Sequence, residues 1–402
     1  MTGVKLNNVV HAARVSRPKI LVSSLYPMGG NYGGMLQAYA LQEVIRRLGY
    51  DVSTIDSQDS LRLRTSLRKI YHGVRKTVFG IDGPIFMTKQ LRSNLWVKTI
   101  PFVENNISTI GLFDLSRRAR NDYLRSVGAI VVGSDQVWRK PYADLPKQFL
   151  AYVNSTEITR ISYAASFGKS DINEYSRYMK YKAGFLLAKF DHVSVREDSG
   201  VRICRDHWNI SAAHHVDPTL LLEPHDYQKF VAPGVSGQTD KSMFVYVLDQ
   251  SSWSRRSAGE IGDQLELNVE QFLTPRPKTR AELEKNIDKY RLRPVEDWIQ
   301  GIASSKFVLT DSFHGTIFAI LFNRPFLVVE NPRRGVSRIS SLLKMLGLED
   351  RLLESGQDIS HVLQLPNIDW SLVNRQIDMH RDKGQSYLRE ALANVYDPKV
   401  SD

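Results

Sequence analysis

Apolar residues in this chain come in short blocks of two alternating kinds. Compact runs at 19–24, 52–55, 129–132, 160–163 and 192–195 are largely β-branched and bounded by polar or glycine positions, which predicts buried strands. Between them, 35–48, 115–127 and 173–190 carry apolar residues at helical spacing. Residues 223–240 then turn polar, with Pro224, Pro233, Gly234 and Gly237, and read as a domain boundary. The alternation resumes with strands at 244–248, 269–273, 307–309 and 326–329, and helical stretches at 261–265, 295–304, 317–322 and 339–346. An amphipathic stretch at 370–395 predicts a closing helix. Repeated strand–helix units in two sets predict an α/β fold of two doubly wound, Rossmann-like domains facing a cleft. The expected organisation is a disordered lead-in over 1–18, an N-terminal α/β domain over 19–222 with a basic helical excursion at about 59–127, a C-terminal α/β domain over 241–356, and a helical segment over 357–402 packing across.

Polar clusters sit where several of these strands end, the position at which open α/β sheets bind ligands. The heaviest is Thr310-Asp311-Ser312-Phe313-His314-Gly315-Thr316, between a strand and a helix. A helix start there suits an anion, and His314 suits proton transfer near neutral pH. The bland alternative is a helix cap at Asp311 or Ser312 with His314 structural. After the first strand, Met28-Gly29-Gly30-Asn31-Tyr32-Gly33-Gly34 opens a helix. It fits neither the dinucleotide glycine spacing nor a Walker A motif, and reads equally as a binding loop through Asn31, Gly33 and Gly34 or as a tight turn. Ser134 and Asp135 end the third compact run, as substrate contacts or as caps. Arg196 ends another, and its planar fork fits a phosphate or carboxylate unless Glu197 or Asp198 takes it. Arg333, Arg334 and Arg338, ahead of the 339–346 helix, either neutralise a phosphate or form a basic surface.

Composition narrows the class. The chain has 402 residues, too many for one ordinary core, and 42% hydrophobic against 24% charged residues is globular usage. No run is long and apolar enough for a transmembrane helix and no signal core opens the chain, so a cytoplasmic location is expected. The single Cys204 excludes an intrachain disulfide and a cysteine metal cluster, and His214-His215 is too short to argue for a metal. A net charge of +11 asks for an anionic partner, and no nucleic-acid-binding pattern is present. Residues 62–92 hold eight Lys and Arg against one acid, interleaved with apolar residues. They read either as a peripheral contact with an anionic membrane at the inner face of the plasma membrane or as a solvated excursion.

Taken together, Asn31-Tyr32-Gly33-Gly34, Gly133-Ser134-Asp135-Gln136-Val137-Trp138, Tyr163-Ala164-Ala165-Ser166-Phe167-Gly168, Ser194-Val195-Arg196-Glu197, Val216-Asp217-Pro218-Thr219 and Asp311-Ser312-Phe313-His314-Gly315 resemble the polysaccharide pyruvyl transferase family. The resemblance implies a GT-B-like fold. It also implies transfer of pyruvate from phosphoenolpyruvate to a saccharide acceptor, free or lipid-linked, as a ketal bridging two hydroxyls, with no cofactor and no metal. His314 and Arg196 match the family's functional histidine and donor-binding arginine. Ser134, Asp135, Ser166, Ser312 and Phe313 then line the pocket. Where several pyruvyl transferases carry arginine, this chain has Ser312, and where some carry an acid it has Gly34; Arg334 or Arg338 would supply the missing cation. A nucleotide-sugar glycosyltransferase is the rival reading on the same fold, and a non-catalytic assembly protein of the polysaccharide machinery is a third.

Overall fold

A computed structural model describes residues 18–57, 88–231, 241–249, 251–274, 276–331, 335–354, 356–357, 359 and 364–395. All but the last residue of the expected lead-in and most of the basic 62–92 segment lie outside the described residues. Strands β1 (Lys19–Ser23), β2 (Asp51–Ile55), β3 (Thr109–Ile110), β4 (Val127–Val132) and β5 (Thr159–Ser162) form one sheet in the order β3-β2-β1-β4-β5. Every pairing in it is parallel. Single bridges from Ile161 to His192 and from Ala165 to Val195 lead on to β6 (Ser194–Val195), which pairs with β7 (Ala213–His214). A second parallel sheet holds β8 (Ser242–Tyr246), β9 (Asn268–Gln271), β10 (Phe307–Thr310), β11 (Phe326–Val329) and β12 (Leu352–Leu353), in the order β12-β11-β10-β8-β9. β4 reads Val-Gly-Ala-Ile-Val-Val and is buried at all six positions, as a strand covered on both faces requires.

Strand order reverses between β1 and β4 in the first half and between β8 and β10 in the second. The loops leaving those four strands therefore diverge, and leave a crevice at the carboxyl edge of each sheet. Several helices begin earlier than their apolar period predicts, and the stretch expected at 261–265 is the end of a helix over Ser252–Gln264. The first runs Tyr32–Arg47, so Gly33 and Gly34 lie in its opening turn rather than in a loop. The helix after β10 runs Phe313–Leu321, which puts His314 in its first turn. The helix expected over 339–346 runs Val336–Leu346 and ends at Gly347, whose φ of 66° is the left-handed stop. The polar stretch after 222 opens with a short helix, Pro224–Gln228.

One apolar cluster runs through both halves. Tyr32, from the first half, stacks on Trp298 of the Val295–Ser304 helix at 5.9 Å and meets Tyr246 and Phe272 edge-on. Aromatic pairs of this kind add about 0.5–1.5 kcal/mol each beyond their burial. The closing helix, Trp370–Leu392, crosses back to the first half. Tyr387 donates to the Ser162 carbonyl at 3.0 Å, Gln385 to Leu221 at 2.9 Å and Arg381 to Leu220 at 3.1 Å. No helix among the described residues is long and apolar enough to cross a membrane.

Candidate active site

The crevices of the two sheets meet in one cleft of about 910 Å³. Gly30 and Asn31 enter it after β1, Asp135 and Gln136 after β4, Leu248 and Asp249 after β8, and Asp311 to His314 after β10. Each is at a switch-point strand end, so strand order has gathered these side chains. Arg338 joins them from the Val336–Leu346 helix.

The loop after β10 is tied down by its own polar residues. Thr310 donates to the Tyr246 carbonyl at 2.7 Å and accepts the Ser312 N–H at 3.0 Å. Asp311 accepts the N–H groups of Leu248 and Asp249 at 2.6 and 3.0 Å and the Asn331 amide at 2.8 Å. Ser312 is the N-cap, accepting the Gly315 N–H at 3.3 Å. The cap is therefore Ser312, while Asp311 holds the loop after β8, and Phe313 and His314 line the cleft beside them. The N–H groups of Phe313 and His314 belong to the first turn, where a helix has no intrahelical acceptors.

His314 is wedged between the halves. A Cβ on Gly33 would fall 2.0 Å from its Nδ1, so only glycine lets the first helix pass the imidazole. On its other side, Nε2 lies 3.5 Å from Oδ2 of Asp217, an ion-pair rather than a hydrogen-bond distance. Asp217 is buried, and the same Oδ2 accepts from Ser134 at 2.6 Å and from Arg196 Nη1 at 2.7 Å. Oδ1 takes the N–H and hydroxyl of Thr219 at 3.1 and 2.8 Å. Burial pushes the Asp217 carboxyl up, but His314, Arg196 and the Ser134 hydroxyl outweigh it and hold it well below the usual carboxylate range.

Arg196 stands one layer behind the cleft wall. Its guanidinium is 4.2 Å from the centre of the Phe313 ring, and Nη2 is 4.0 Å from Oδ1 of Asp135. Nε and Nη2 are buried with no hydrogen-bond partner among the described residues. Arg338 sits on the same ring at 5.6 Å, and burial followed by the charge of Arg196 pushes it down to about 10. Asp135 has a φ of 71°, uncommon for any residue but glycine. That turn is held by Ser166, whose N–H donates to the Asp135 carbonyl at 3.1 Å. Asn31 donates to Asp135 Oδ2 at 3.3 Å across the mouth of the first half. Glu197 accepts Ser166, Phe167 N–H and Gly168 N–H at 3.0, 2.8 and 3.2 Å.

Of the residues singled out from sequence, Asn31, Asp135, Ser312, Phe313, His314 and Arg338 line the cleft. Arg196, Ser166 and Gly33 stand behind it in direct contact with those residues, and Ser134 bonds Arg196 and Asp217. Gly34 faces the Asn31 amide, and Arg334 lies outside the described residues. The sequence places Asp217 and Glu197 in family-like motifs but assigns neither a role in the site. Asp217-Pro218 reads as a turn, and Glu197 reads as the natural counter-charge to its neighbour, whereas Arg196 reaches past it to Asp217.

Two parallel α/β halves across a cleft, with a closing helix returning to the first, define the GT-B class of fold. A UDP-N-acetylglucosamine 2-epimerase aligns over 94% of this chain and 95% of its own, with a TM-score of 0.50 and 13% identity. Glycyrrhiza uralensis UGT73P12, complexed with glycyrrhetinic acid 3-O-monoglucuronide, aligns over 96% of each chain at 0.50 and 9%. The N-terminal domain of Candida albicans trehalose-6-phosphate phosphatase aligns over 94% of this chain and 97% of its own at 0.51 and 10%. At these identities the likeness is one of fold. Comparison with curated protein sequences gives no match. The family model for polysaccharide pyruvyl transferase matches residues 31–333, and the chain belongs to that family, a family of transferases.

Proposed function

We propose that the protein moves pyruvate from phosphoenolpyruvate onto two hydroxyls of a saccharide destined for a surface or secreted polysaccharide. The observation that carries this is His314, at a helix start in the cleft, with its Nε2 beside an ionised, buried Asp217 and two arginines on the neighbouring Phe313 ring. A trianionic donor needs cations and free N–H groups, and its methylene carbon needs an acid.

Arg338 and the first-turn N–H groups of Phe313 and His314 hold the phosphate and carboxylate. Arg196, already paired with Asp217, acts through Phe313 and Asp135 as a positioning residue. His314, whose Nε2 lies 3.5 Å from Asp217 Oδ2, gives its proton to C3 of phosphoenolpyruvate. The first sugar hydroxyl adds to C2 and passes its proton to Asp135. The C2–O bond to phosphate then breaks, and phosphate leaves with the proton from Asp135. The second hydroxyl adds to C2, and its proton restores the His314 imidazolium. Donor and diol thus give ketal and hydrogen phosphate with charge conserved, and no cofactor takes part.

Phosphate release from phosphoenolpyruvate in the presence of a saccharide acceptor panel tests this. His314→Ala should lower turnover by roughly two to four orders of magnitude, the range for a lost positioned acid. Wild-type turnover in that variant would remove His314 from the reaction. Thermal stabilisation by a nucleotide sugar with none by phosphoenolpyruvate would instead favour glycosyl transfer on the same fold.

A further inference from the structure

The helix Arg177–Leu187 is apolar on two faces. Its inner face is accounted for: Met179, Ala183, Leu186 and Leu187 are buried in the core of the first half. Gly184 lets it close on Trp208, because a Cβ there would sit 2.4 Å from the indole. Its outer face carries Tyr178 at 68%, Tyr181 at 75% and Phe185 at 56% exposure. Among the described residues these are the large apolar side chains more than half exposed, and all three fall on one face at i, i+3 and i+7. Isolated exposed apolar residues are ordinary; a contiguous aromatic stripe is an interaction surface.

Charge identifies its partner. The stretch between Glu174 and Asp191 contains Arg177, Lys180, Lys182 and Lys189 and no acid. Two of these cations lie over the exposed rings, Lys182 Nζ at 5.7 Å from Tyr178 and Lys189 Nζ at 4.3 Å from Phe185. Aromatic rings flanked by snorkelling lysines are the composition that suits a lipid headgroup layer: rings enter the acyl boundary while ammonium groups stay with phosphates. The helix also starts on the cleft side of its domain. It follows β5 in a parallel sheet, and Tyr175, just ahead of its cap Ser176, hydrogen-bonds the Trp138 carbonyl in the Asp135 loop.

We propose that the Tyr178–Tyr181–Phe185 face docks the protein on an anionic phospholipid bilayer. Its residues are other than those of the basic 62–92 segment, the one the sequence suggested for that role, and the inference does not depend on which donor the cleft takes.

The test is co-sedimentation of the full chain with vesicles of phosphatidylcholine alone or of equimolar phosphatidylcholine and phosphatidylglycerol. Two variants accompany the wild type, Tyr178→Ser/Tyr181→Ser/Phe185→Ser and Lys182→Glu/Lys189→Glu. Wild type should partition to the anionic vesicles, and weaken with salt. Loss of each lysine charge near the surface should cost roughly fivefold in partitioning, and the aromatic variant should lose about tenfold or more. The lysine variant changes only surface charge, so it carries the test if the aromatic variant fails to fold. Absence of wild-type binding would overturn the proposal, as would undiminished binding by both variants. So would a wild-type dimer, seen in size-exclusion chromatography, that the aromatic variant dissolves, since the face would then join copies of the chain.

Discussion

Asp217 gathers more of the site than any other residue. It meets a serine, an arginine and a histidine through one oxygen, and it is buried. A carboxylate in that place is tolerable only because three donors or cations surround it, and each of them loses its counterpart if the charge goes. Asp217→Asn should therefore destabilise the protein by about 3–5 kcal/mol, the range for leaving one member of a buried pair uncompensated. Turnover should fall with it. The double variant Asp217→Asn/Arg196→Met removes the stranded cation, so stability should return in large part while turnover stays low. Denaturant unfolding with parallel turnover measurements reads both, and recovery of turnover in the double variant would show that Asp217 serves only the fold. The sign of the pH dependence follows from its depressed folded value. The stabilisation is complete above the unfolded value of about 3.9 and is lost as pH falls below it.

Gly33 and Gly34 show how adjacent positions in one helix turn carry opposite constraints. A Cβ on Gly33 would penetrate the His314 ring, whereas one on Gly34 would lie 3.1 Å from the Asn31 amide, which can give way. Alanine normally favours a helix over glycine by about 1 kcal/mol. Gly34→Ala should accordingly be neutral or slightly stabilising. Gly33→Ala should cost about 1–3 kcal/mol by overpacking and displace the imidazole, lowering turnover more than ligand affinity. Equal thermal midpoints for the two variants would contradict the contact. The same turn explains what could be read from sequence. Strands such as β4 and β11 are buried on both faces, so they appear as unbroken apolar runs. Helix starts were read late at Tyr32, Phe313 and Val336 because first turns here are glycine, histidine or serine positions with no apolar period. The His314 stretch and the Asp135 loop stood out as polar residues at strand ends. Asp217 did not, because its partners Ser134 and Arg196 are 83 and 21 residues away and only the fold brings them together.

At the scale of the whole molecule, the closing helix returns to the first half, and a cluster of histidines lies under it. His215 stacks on Tyr163 at 5.9 Å and meets Tyr387 of the closing helix at 4.7 Å. Burial pushes it down to about 4, with His214, His380 and Lys383 adding to the effect. His380 is itself lowered, again by burial first. An unfolded histidine titrates near 6.5, so between about pH 6.5 and 4 the unfolded chain binds a proton that the folded chain refuses. Stability should be fully present above that window and fall through it, by of order 2–3 kcal/mol from His215. Chemical denaturation at about pH 7.5 and about pH 5 measures the fall. His215→Gln removes the proton from the unfolded state, so its loss between the two conditions should be smaller than that of the wild type, whatever its absolute stability. Equal losses would assign the acid sensitivity to His380 instead. Because the His215 ring is held between the first domain and the closing helix, the same protonation should loosen that helix first, seen as amide exchange rising over 370–392 before it rises in β1 and β4.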